Sequence, residues 1–280
     1  MEVQNADSAS LAELKHLDAK LEIPNFASKV YYVMRKSMEQ KIFAPRGVAI
    51  ELPTKIINAA EKLRDGRSLG ATYFTGKELN AIGLCYHYGH IVNLDYAEAV
   101  KWYLAADAKR HRTAAFNLYL SYRNGEGVME DGKKALYWLR KAARQNIPDG
   151  QFVLGMCYYE GDLVRRNRRL AELWLQKGLE NALKECDEVT LTRYGALFFL
   201  GEGVFEQDLE LAISCFEKAA NKGYCDAMIP LISIAVSLDY KEDVEYWWEK
   251  FWACTVKDIK AVKIARKLYN DYMKGKKDEK

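Results

Sequence analysis

Apolar residues in the middle of this chain recur at helical spacing, with small and large side chains alternating. In the stretch 114–149, two such stripes follow one another. The first consists of Ala114, Leu118, Tyr119 and Tyr122, and the second of Ala135, Trp138, Leu139, Ala142 and Ala143. Side chains three and four positions apart lie on one face of an α-helix. The pattern therefore predicts two amphipathic helices, the first of which ends near Asn124.

The polar segment between the two stripes predicts a tight turn. Its sequence is GEGVMED, residues 125–131. Gly125 can adopt the left-handed conformation that closes a helix, and Gly127 has the freedom that a turn needs. Asp131 stands where an acceptor side chain caps the next helix. Residues 114–149 are thus predicted to form a helix hairpin, whose apolar faces need neighbours on both sides.

The hairpin pattern is repeated about every 36 residues. One glycine recurs at Gly89, Gly125 and Gly161, and one tryptophan recurs at Trp102, Trp138 and Trp174. A fourth copy places its turn at Gly201, 40 residues after the third, and we expect the four extra residues to lengthen a loop between repeats. Periods of this length are typical of stacked repeats, so one elongated, helical domain is expected.

Two copies carry a specific consensus. GEGVMEDGKKALYWLRKAA from Gly125 and GEGVFEQDLELAISCFEKAANKG from Gly201 resemble the Sel-one-like repeat, a relative of the tetratricopeptide repeat. The first copy has Ile91 in place of the second loop glycine, and the third has Asp162 and Leu163 in its loop, but both keep the packing positions. The resemblance implies an all-α fold, a right-handed α-α superhelical solenoid of stacked helix hairpins. It also implies a scaffold or adaptor role.

The resemblance covers residues 78–226, which we expect to contain four repeats. Residues 1–77 are expected to form N-terminal helices over 27–40 and 53–63, with a degenerate repeat or cap and an earlier capping box at Ser10 and Glu13. Within 227–274 we expect a degenerate hairpin and a basic capping helix from Lys257 to Met273. Residues 275–280 are expected to be a disordered tail.

Composition changes this picture little. The 280 residues include 42 basic and 39 acidic side chains, a net charge of +3, so nothing global demands nucleic acid or a membrane. The N-terminal sequence MEVQNADSASLAELKHL has neither a basic start nor an apolar run, and we therefore expect a cytoplasmic protein. The longest apolar stretch, 227–238, is too short to insert across a membrane.

Six cysteines raise the question of disulfide bonds. Cys85 and Cys157 occupy equivalent positions two repeats apart, which is too far for a bond if packed helices separate them. The other cysteines are Cys186, Cys215, Cys225 and Cys254. They form no CxxC pair and have no histidine nearby at metal-ligand spacing. We expect all six to be reduced thiols in or near the core.

The sequence offers no catalytic constellation. The four histidines form no HExxH motif, and no serine stands in a strand-turn-helix context. His87 and His90 are three residues apart, a spacing for which a surface pair is favoured over a metal site. The paired glycines are explained by the repeat turns rather than by a phosphate-binding loop. We therefore expect no catalytic residue, no metal and no cofactor.

Basic runs are one set of interface candidates. Residues 109–112 read KRHR, and the loop of the third copy holds Arg165, Arg166, Arg168 and Arg169. Four arginines concentrate positive potential that can meet acidic side chains or phosphate, although a solvated loop is the alternative. The second and fourth copies have GEGVMED and GEGVFEQ in this loop, so a continuous basic stripe for nucleic acid is interrupted.

The first helix of each hairpin supplies the other candidate surface. In related solenoids it lines the concave face, where positions outside the packing motif vary. Here those positions mix aromatic, arginine and amide side chains, as interface hot spots do. The predicted contact residues are Asn80, His87, Tyr88, Asn117, Arg123, Asn124, Tyr159, Glu160, Arg193 and Phe199. Part of this set, Phe199 especially, could belong to the core instead.

Three functional hypotheses follow. The first is a non-catalytic scaffold or adaptor that binds a protein or peptide on its concave face. The second is a cytoplasmic immunity or regulatory protein that neutralises a toxin or enzyme by direct binding, with the basic loops in an acidic cleft. The third, from another class, is nucleic-acid binding through the basic loops. An enzymatic activity would have to reside in residues 1–70, where the resemblance is weakest.

Overall fold

A computed structural model describes residues 53–278, except for residues 68, 186, 202–203 and 255–258. The described residues fall into two compact units, 53–185 and 187–278. Their regular structure is helical throughout, with no strand in either described range. The capping box predicted at Ser10 and Glu13 and the helix predicted over 27–40 lie outside these residues.

The unit of residues 53–185 is built from helix hairpins. Its helices are α1 (Thr54–Arg64), α2 (Gly76–Tyr88), α3 (Tyr96–Ala108), α4 (Arg112–Asn124), α5 (Gly132–Arg144), α6 (Pro148–Glu160) and α7 (Arg168–Glu185). Three antiparallel pairs are formed, α2 with α3, α4 with α5 and α6 with α7. Helix α1 packs against α2. Successive hairpins are joined where α3 packs on α4 and where α5 packs on α6. The core runs between hairpins because each one covers its neighbour's apolar face.

The turn chemistry predicted from the sequence is confirmed at the second repeat. Gly125 adopts the left-handed conformation, with φ of 71°, and closes α4. The Asp131 carboxylate accepts hydrogen bonds from the backbone amides of Lys133 and Lys134, each at 3.0 Å. Asp95 caps α3 in the same way. These caps satisfy amides that the first turn of a helix leaves without a partner.

The inward stripe of α5 is also confirmed. Ala135, Leu139, Ala142 and Ala143 are fully buried, and Trp138 is half-buried. Ala99 and Ala171 occupy the position equivalent to Ala135 in α3 and α7, and both are buried. A small side chain at this position lets the second helix approach the first closely, which is why the hairpins are tightly packed.

The insertion after the third repeat lengthens a helix, and the expectation of a longer loop is wrong. Helix α7 has 18 residues, whereas α3 and α5 have 13 each. The added segment LENALKE contains good helix formers and no glycine or proline, so it continues the helix by more than a turn.

The unit of residues 187–278 contains five helices in its described part. They are α8 (Glu188–Leu200), α9 (Leu209–Asn221), α10 (Met228–Ser237), α11 (Lys241–Ala253) and α12 (Ile259–Asp278). Helices α8 and α9 form one hairpin and α10 and α11 another, while α12 packs against α10 and α11. Helix α12 is the expected basic closing helix, but it extends to Asp278, past the predicted end at Met273.

The expectation that all six cysteines are reduced is wrong for two of them. Cys225 and Cys254 are joined by a disulfide, with 6.1 Å between their Cα atoms. Cys225 precedes α10 and Cys254 follows α11, so the α10–α11 hairpin returns the chain to the place where it began. Cys85, Cys157 and Cys215 are free and buried, as expected. Cys186 lies outside the described residues.

Candidate partner-binding site

The first helices of successive repeats are joined at their C-terminal ends. His87 and Arg123 occupy equivalent positions in the last turns of α2 and α4. The Arg123 guanidinium donates a hydrogen bond to the Asp162 carboxylate at 2.8 Å, and His87 Nε2 lies 3.9 Å from a carboxylate oxygen of Glu126. Glu126 and Asp162 also stand one 36-residue period apart, each in the loop of the following repeat. Equivalent positions therefore face each other in both places, but Arg123 and Asp162 form a charged hydrogen bond whereas the 3.9 Å between His87 and Glu126 is longer than a hydrogen bond.

The His87 ring is enclosed rather than open to a ligand. Its side chain is only 9% exposed, and its ring centroid lies 4.8 Å from that of Tyr88 and 5.1 Å from that of Tyr96. Burial lowers the pKa of His87 to about 4, so the ring is neutral at neutral pH. Burial also raises the pKa of the Glu126 carboxyl above its usual value.

Acidification is therefore expected to destabilise the unit that contains His87. An unfolded histidine with an ordinary pKa takes up a proton as the pH falls below about 6.5, whereas the folded ring resists protonation until about pH 4. The free energy of unfolding should fall across that window by at most about 2–3 kcal/mol. Urea unfolding at a series of pH values, with His87→Gln as the comparison, measures this slope.

The His87→Gln variant should lose most of the slope between pH 6.5 and 4. Glu126 acts in the opposite sense, because its raised pKa favours the folded state as the carboxyl is protonated. Glu126→Gln should therefore steepen the loss of stability at the acidic end of the window. Identical slopes in the wild type and in His87→Gln would contradict this assignment.

Asn80 and Asn117 form a bridge between the first two repeats. The Asn117 side-chain amide donates to the side-chain oxygen of Asn80 at 2.8 Å, and Asn80 is 6% exposed. Each side-chain amide thus has a hydrogen-bond partner within the protein, so fewer of its donors and acceptors are available to a ligand.

Three predicted contact residues form an accessible row. Tyr88, Asn124 and Glu160 are the last residues of α2, α4 and α6, one period apart. Asn124 and Glu160 are exposed and Tyr88 is half-buried. The 36-residue period places them at equivalent positions in three successive repeats; we call them the helix-end row.

The arginine loop between α6 and α7 is exposed and reaches the end of this row. Arg165 and Arg166 lie in this loop, whereas Arg168 and Arg169, which were predicted to lie in it, are the first residues of α7; all four are exposed. The Arg166 guanidinium lies 5.5 Å from the centre of the Tyr159 ring, a cation–π distance. Arg168 is paired with Glu172 at 3.0 Å. The loop therefore joins the two predicted sets of contact residues at Tyr159, which is half-buried.

The structure also brings basic residues of α5 close to this loop, and they were not among the predicted contacts. Arg140 lines a groove together with Arg165 and Arg166. Lys133, Arg140 and Arg144 stand at positions i, i+7 and i+11, which places them on one face of α5. That spacing was visible in the sequence, whereas the approach of the α6–α7 loop depends on tertiary packing.

Arg193 and Phe199 belong to the unit of residues 187–278. Arg193 is 5% exposed within α8, and Phe199 is half-buried near the end of the same helix. The Phe199 carbonyl accepts a hydrogen bond from the Gln207 side chain at 3.0 Å. Burial of Arg193 makes it the less accessible of the two.

The described residues show little that suggests chemistry. Burial raises the pKa of the Cys85 and Cys215 thiols to about 11 and that of Cys157 to about 12, so these thiols stay protonated at neutral pH and are poor nucleophiles. Among these residues, no three His, Cys, Asp or Glu side chains come together as a metal ion would require. Within the same ranges, no helix combines the length and apolar character needed to cross a bilayer.

The hairpins with left-handed glycine caps match a known repeat. The Sel1 repeat family model matches residues 79–106, 114–147, 148–182 and 190–224. The chain belongs to the Sel1 repeat family. This confirms the resemblance seen in the sequence and, with the consecutive hairpins, confirms an α solenoid as the fold class.

A solved Sel1 repeat structure has the same kind of fold. A Sel1 repeat protein from Oxalobacter formigenes is 25% identical, with a TM-score of 0.58, over 79% of this chain and 98% of its own. The protective antigen c5321 of uropathogenic Escherichia coli, which has an SLR fold, is 21% identical, with a TM-score of 0.39, over 78% of this chain and 56% of its own. No curated protein matches the chain.

Proposed function

We propose that this Sel1 repeat protein is a non-catalytic scaffold that binds a protein or peptide partner along the helix-end row. Sel1 repeats generally mediate protein interactions. The observation that carries the proposal is that Tyr88, Asn124 and Glu160 end the first helices of three successive repeats. The Arg123–Asp162 hydrogen bond ties the last turn of α4 to the third repeat. In the superhelix expected for this family, the first helices face the concave side.

A pre-ordered row reduces the cost of binding. Side chains that a partner must immobilise cost about 0.5–1.5 kcal/mol each, and helix ends fixed by neighbouring repeats lose less freedom than a flexible loop would. The chemistry of the row is mixed, with one aromatic ring, one amide and one carboxylate. Such a row would recognise a folded surface or a peptide through several modest contacts.

Removing the row is expected to abolish capture of the partner. The test compares proteins retained from source-cell lysate by the wild type, by Tyr88→Ala/Asn124→Ala/Glu160→Ala, and by Tyr73→Ala/Asn58→Ala/Glu180→Ala. The last variant alters exposed residues of the same three types away from the row. A protein that only the row variant fails to retain supports the proposal.

Retention of every captured protein by the row variant would contradict it. Because Tyr88 is half-buried, Asn124→Lys/Glu160→Lys serves as a second row variant that leaves the aromatic residue in place. Thermal unfolding should show that this variant is as stable as the wild type.

The second candidate function is that of a regulatory or immunity protein, which the exposed arginine loop favours. Repeating the captures at low and high salt tests it. Its partner should be lost steeply as salt rises.

The compartment is part of the proposal. A cytoplasmic location is the expectation from the sequence, whereas a disulfide such as Cys225–Cys254 is more usual in an oxidising compartment. Alkylation of the protein in intact cells, before lysis, would show which state these two cysteines hold there.

A further inference from the structure

Two adjoining grooves lie along α5, and the helix-end row is not among their lining residues. One, of about 610 Å³, is lined by Leu136, Arg140, Tyr158, Leu163, Val164, Arg165, Arg166 and Asn167. The other, of about 450 Å³, is lined by Lys133, Leu136, Tyr137, Arg140, Lys141, Arg144 and Gln145. Leu136 and Arg140 belong to both, so we refer to the pair as the α5 groove. Its volumes are within the range of ligand-binding clefts.

The charged side chains that line the α5 groove all have one sign. They are Lys133, Arg140, Lys141, Arg144, Arg165 and Arg166, and no carboxylate is among the lining residues. Lys141 already pairs with Asp107 at 2.6 Å. In the part of the chain that the structure describes, Lys133, Arg140, Arg144 and Arg165 make no ion pair. Four cations facing one groove without a counter-charge favour an anionic occupant.

The walls between these cations are apolar. Leu136, Leu163 and Val164 are half-buried, and Tyr137 is 60% exposed. These apolar side chains lie between several cations. An occupant that carries both apolar groups and negative charge would therefore bury the apolar side chains and pair with the cations. A bare polyanion would leave them in water.

Leu163 forms its part of the wall in a costly conformation. Its φ is 59°, in the left-handed region that side chains other than glycine avoid. At the equivalent position of the second repeat the chain has Gly127. The Leu163 side chain packs over Gly132 at the start of α5, where a Cβ would lie 3.2 Å from it. The left-handed backbone is shared by Ile91 in the first repeat, so it belongs to the repeat turn, and what is particular to Leu163 is the apolar side chain it places in the groove.

We propose that the α5 groove binds an acidic peptide segment in which bulky apolar side chains alternate with aspartate or glutamate. The guanidinium groups of Arg140, Arg144 and Arg165 would take the carboxylates in charge-assisted hydrogen bonds, and Leu136, Tyr137 and Leu163 would cover the apolar side chains. Nucleic acid fits less well, because the corresponding loop of the second repeat, GEGVMED, does not extend the basic surface. The site is additional to the helix-end row.

Selection from a random peptide library on the full-length protein tests the proposal. The enriched peptides should be acidic, with leucine, phenylalanine or tryptophan between the acidic residues. One enriched peptide is then labelled and its Kd measured by fluorescence anisotropy. Reversing two groove charges, Arg140→Glu/Arg165→Glu, should raise that Kd at least about tenfold. The matched control is Lys62→Glu/Arg67→Glu, which makes the same change in net charge at exposed positions outside the groove lining.

Each other outcome overturns the proposal. No enrichment of acidic peptides means that the groove does not select them. An equal rise in Kd for both charge reversals means that net charge alone attracts the peptide. Binding of single-stranded oligothymidine as tightly as the peptide assigns the groove to polyanions, and self-association of the wild type that Arg140→Glu/Arg165→Glu abolishes assigns it to a second copy of the chain.

The Leu163→Gly variant separates recognition from folding. It removes an apolar wall and should raise the Kd roughly fivefold. The unfolding midpoint should not fall, because glycine accepts the left-handed backbone without strain. Ile91→Gly makes the same kind of backbone change at φ of 70° in the first repeat, outside the groove, and should leave the Kd unchanged. An unchanged Kd for Leu163→Gly would remove the apolar half of the proposal.

The helix-end row and the α5 groove are tested independently. The Asn124→Lys/Glu160→Lys variant should bind the selected peptide as the wild type does. The Arg140→Glu/Arg165→Glu variant should still capture the partner of the helix-end row. Failure of the peptide experiment therefore leaves the scaffold proposal standing, and loss of peptide binding in the row variant would show that the two sites are not separate.

Discussion

Replacing Cys254 by serine is expected to lower the free energy of unfolding by roughly 3–4 kcal/mol for the unit of residues 187–278. The disulfide joins cysteines 29 residues apart and closes the α10–α11 hairpin. Breaking it returns to the unfolded chain the freedom that the cross-link removes, which favours unfolding. Cys254 is the better position to change because it is half-buried, whereas Cys225 is in the core. Urea unfolding followed by circular dichroism measures the difference.

Reductant supplies the control for this prediction. It should destabilise the wild type to the level of Cys254→Ser and should have no effect on the variant. Alkylation of the unfolded, unreduced wild type should leave Cys225 and Cys254 unmodified, while Cys85, Cys157 and Cys215 react. A wild-type protein whose stability does not respond to reductant would show that the bond contributes nothing.

Gly127→Ala is expected to destabilise the unit of residues 53–185 by about 3 kcal/mol. Two costs add at this position. The left-handed backbone, with φ of 75°, is strained by about 1–2 kcal/mol for any residue with a Cβ. A Cβ would also lie 2.2 Å from the carbonyl oxygen of Tyr96, a backbone atom at the start of α3 that cannot rotate away. Relieving that overlap requires a backbone shift, at about 1–3 kcal/mol.

Gly66→Ala separates the two costs. Gly66 has φ of 78°, but a Cβ there would meet nothing within 4 Å. Only the backbone strain applies, so the loss should be about 1–2 kcal/mol. Equal losses for the two variants in thermal unfolding would show that the second repeat does not need the close approach to Tyr96.

Local rules predicted the hairpins because the repeat is built from local interactions. Gly125 closes α4 and Asp131 caps α5, and both roles depend only on a few neighbouring residues. The helix predicted over 114–124 is observed as α4, Arg112–Asn124. The buried alanines of α5 follow from periodicity alone, since an amphipathic helix must cover its apolar face.

Tertiary contacts account for what the sequence did not show. His87 and Arg123 were variable positions in the pattern, but Glu126 and Asp162 reach them from the next repeat. The pairing of Cys225 with Cys254 depends on the return of the α10–α11 hairpin, which no cysteine spacing encodes. The α5 groove needs the α6–α7 loop beside α5, although the basic face of α5 was visible in the sequence.

Hydrogen exchange on the captured complex tests the central claim, that a partner binds along the helix-end row, most directly. Amide exchange of the protein, with and without the partner recovered from lysate, should slow in peptides covering the ends of α2, α4 and α6, near residues 88, 124 and 160. Peptides covering α1 and α5 should be unaffected. Protection confined to other parts of the chain, with these three ends unchanged, would contradict the account.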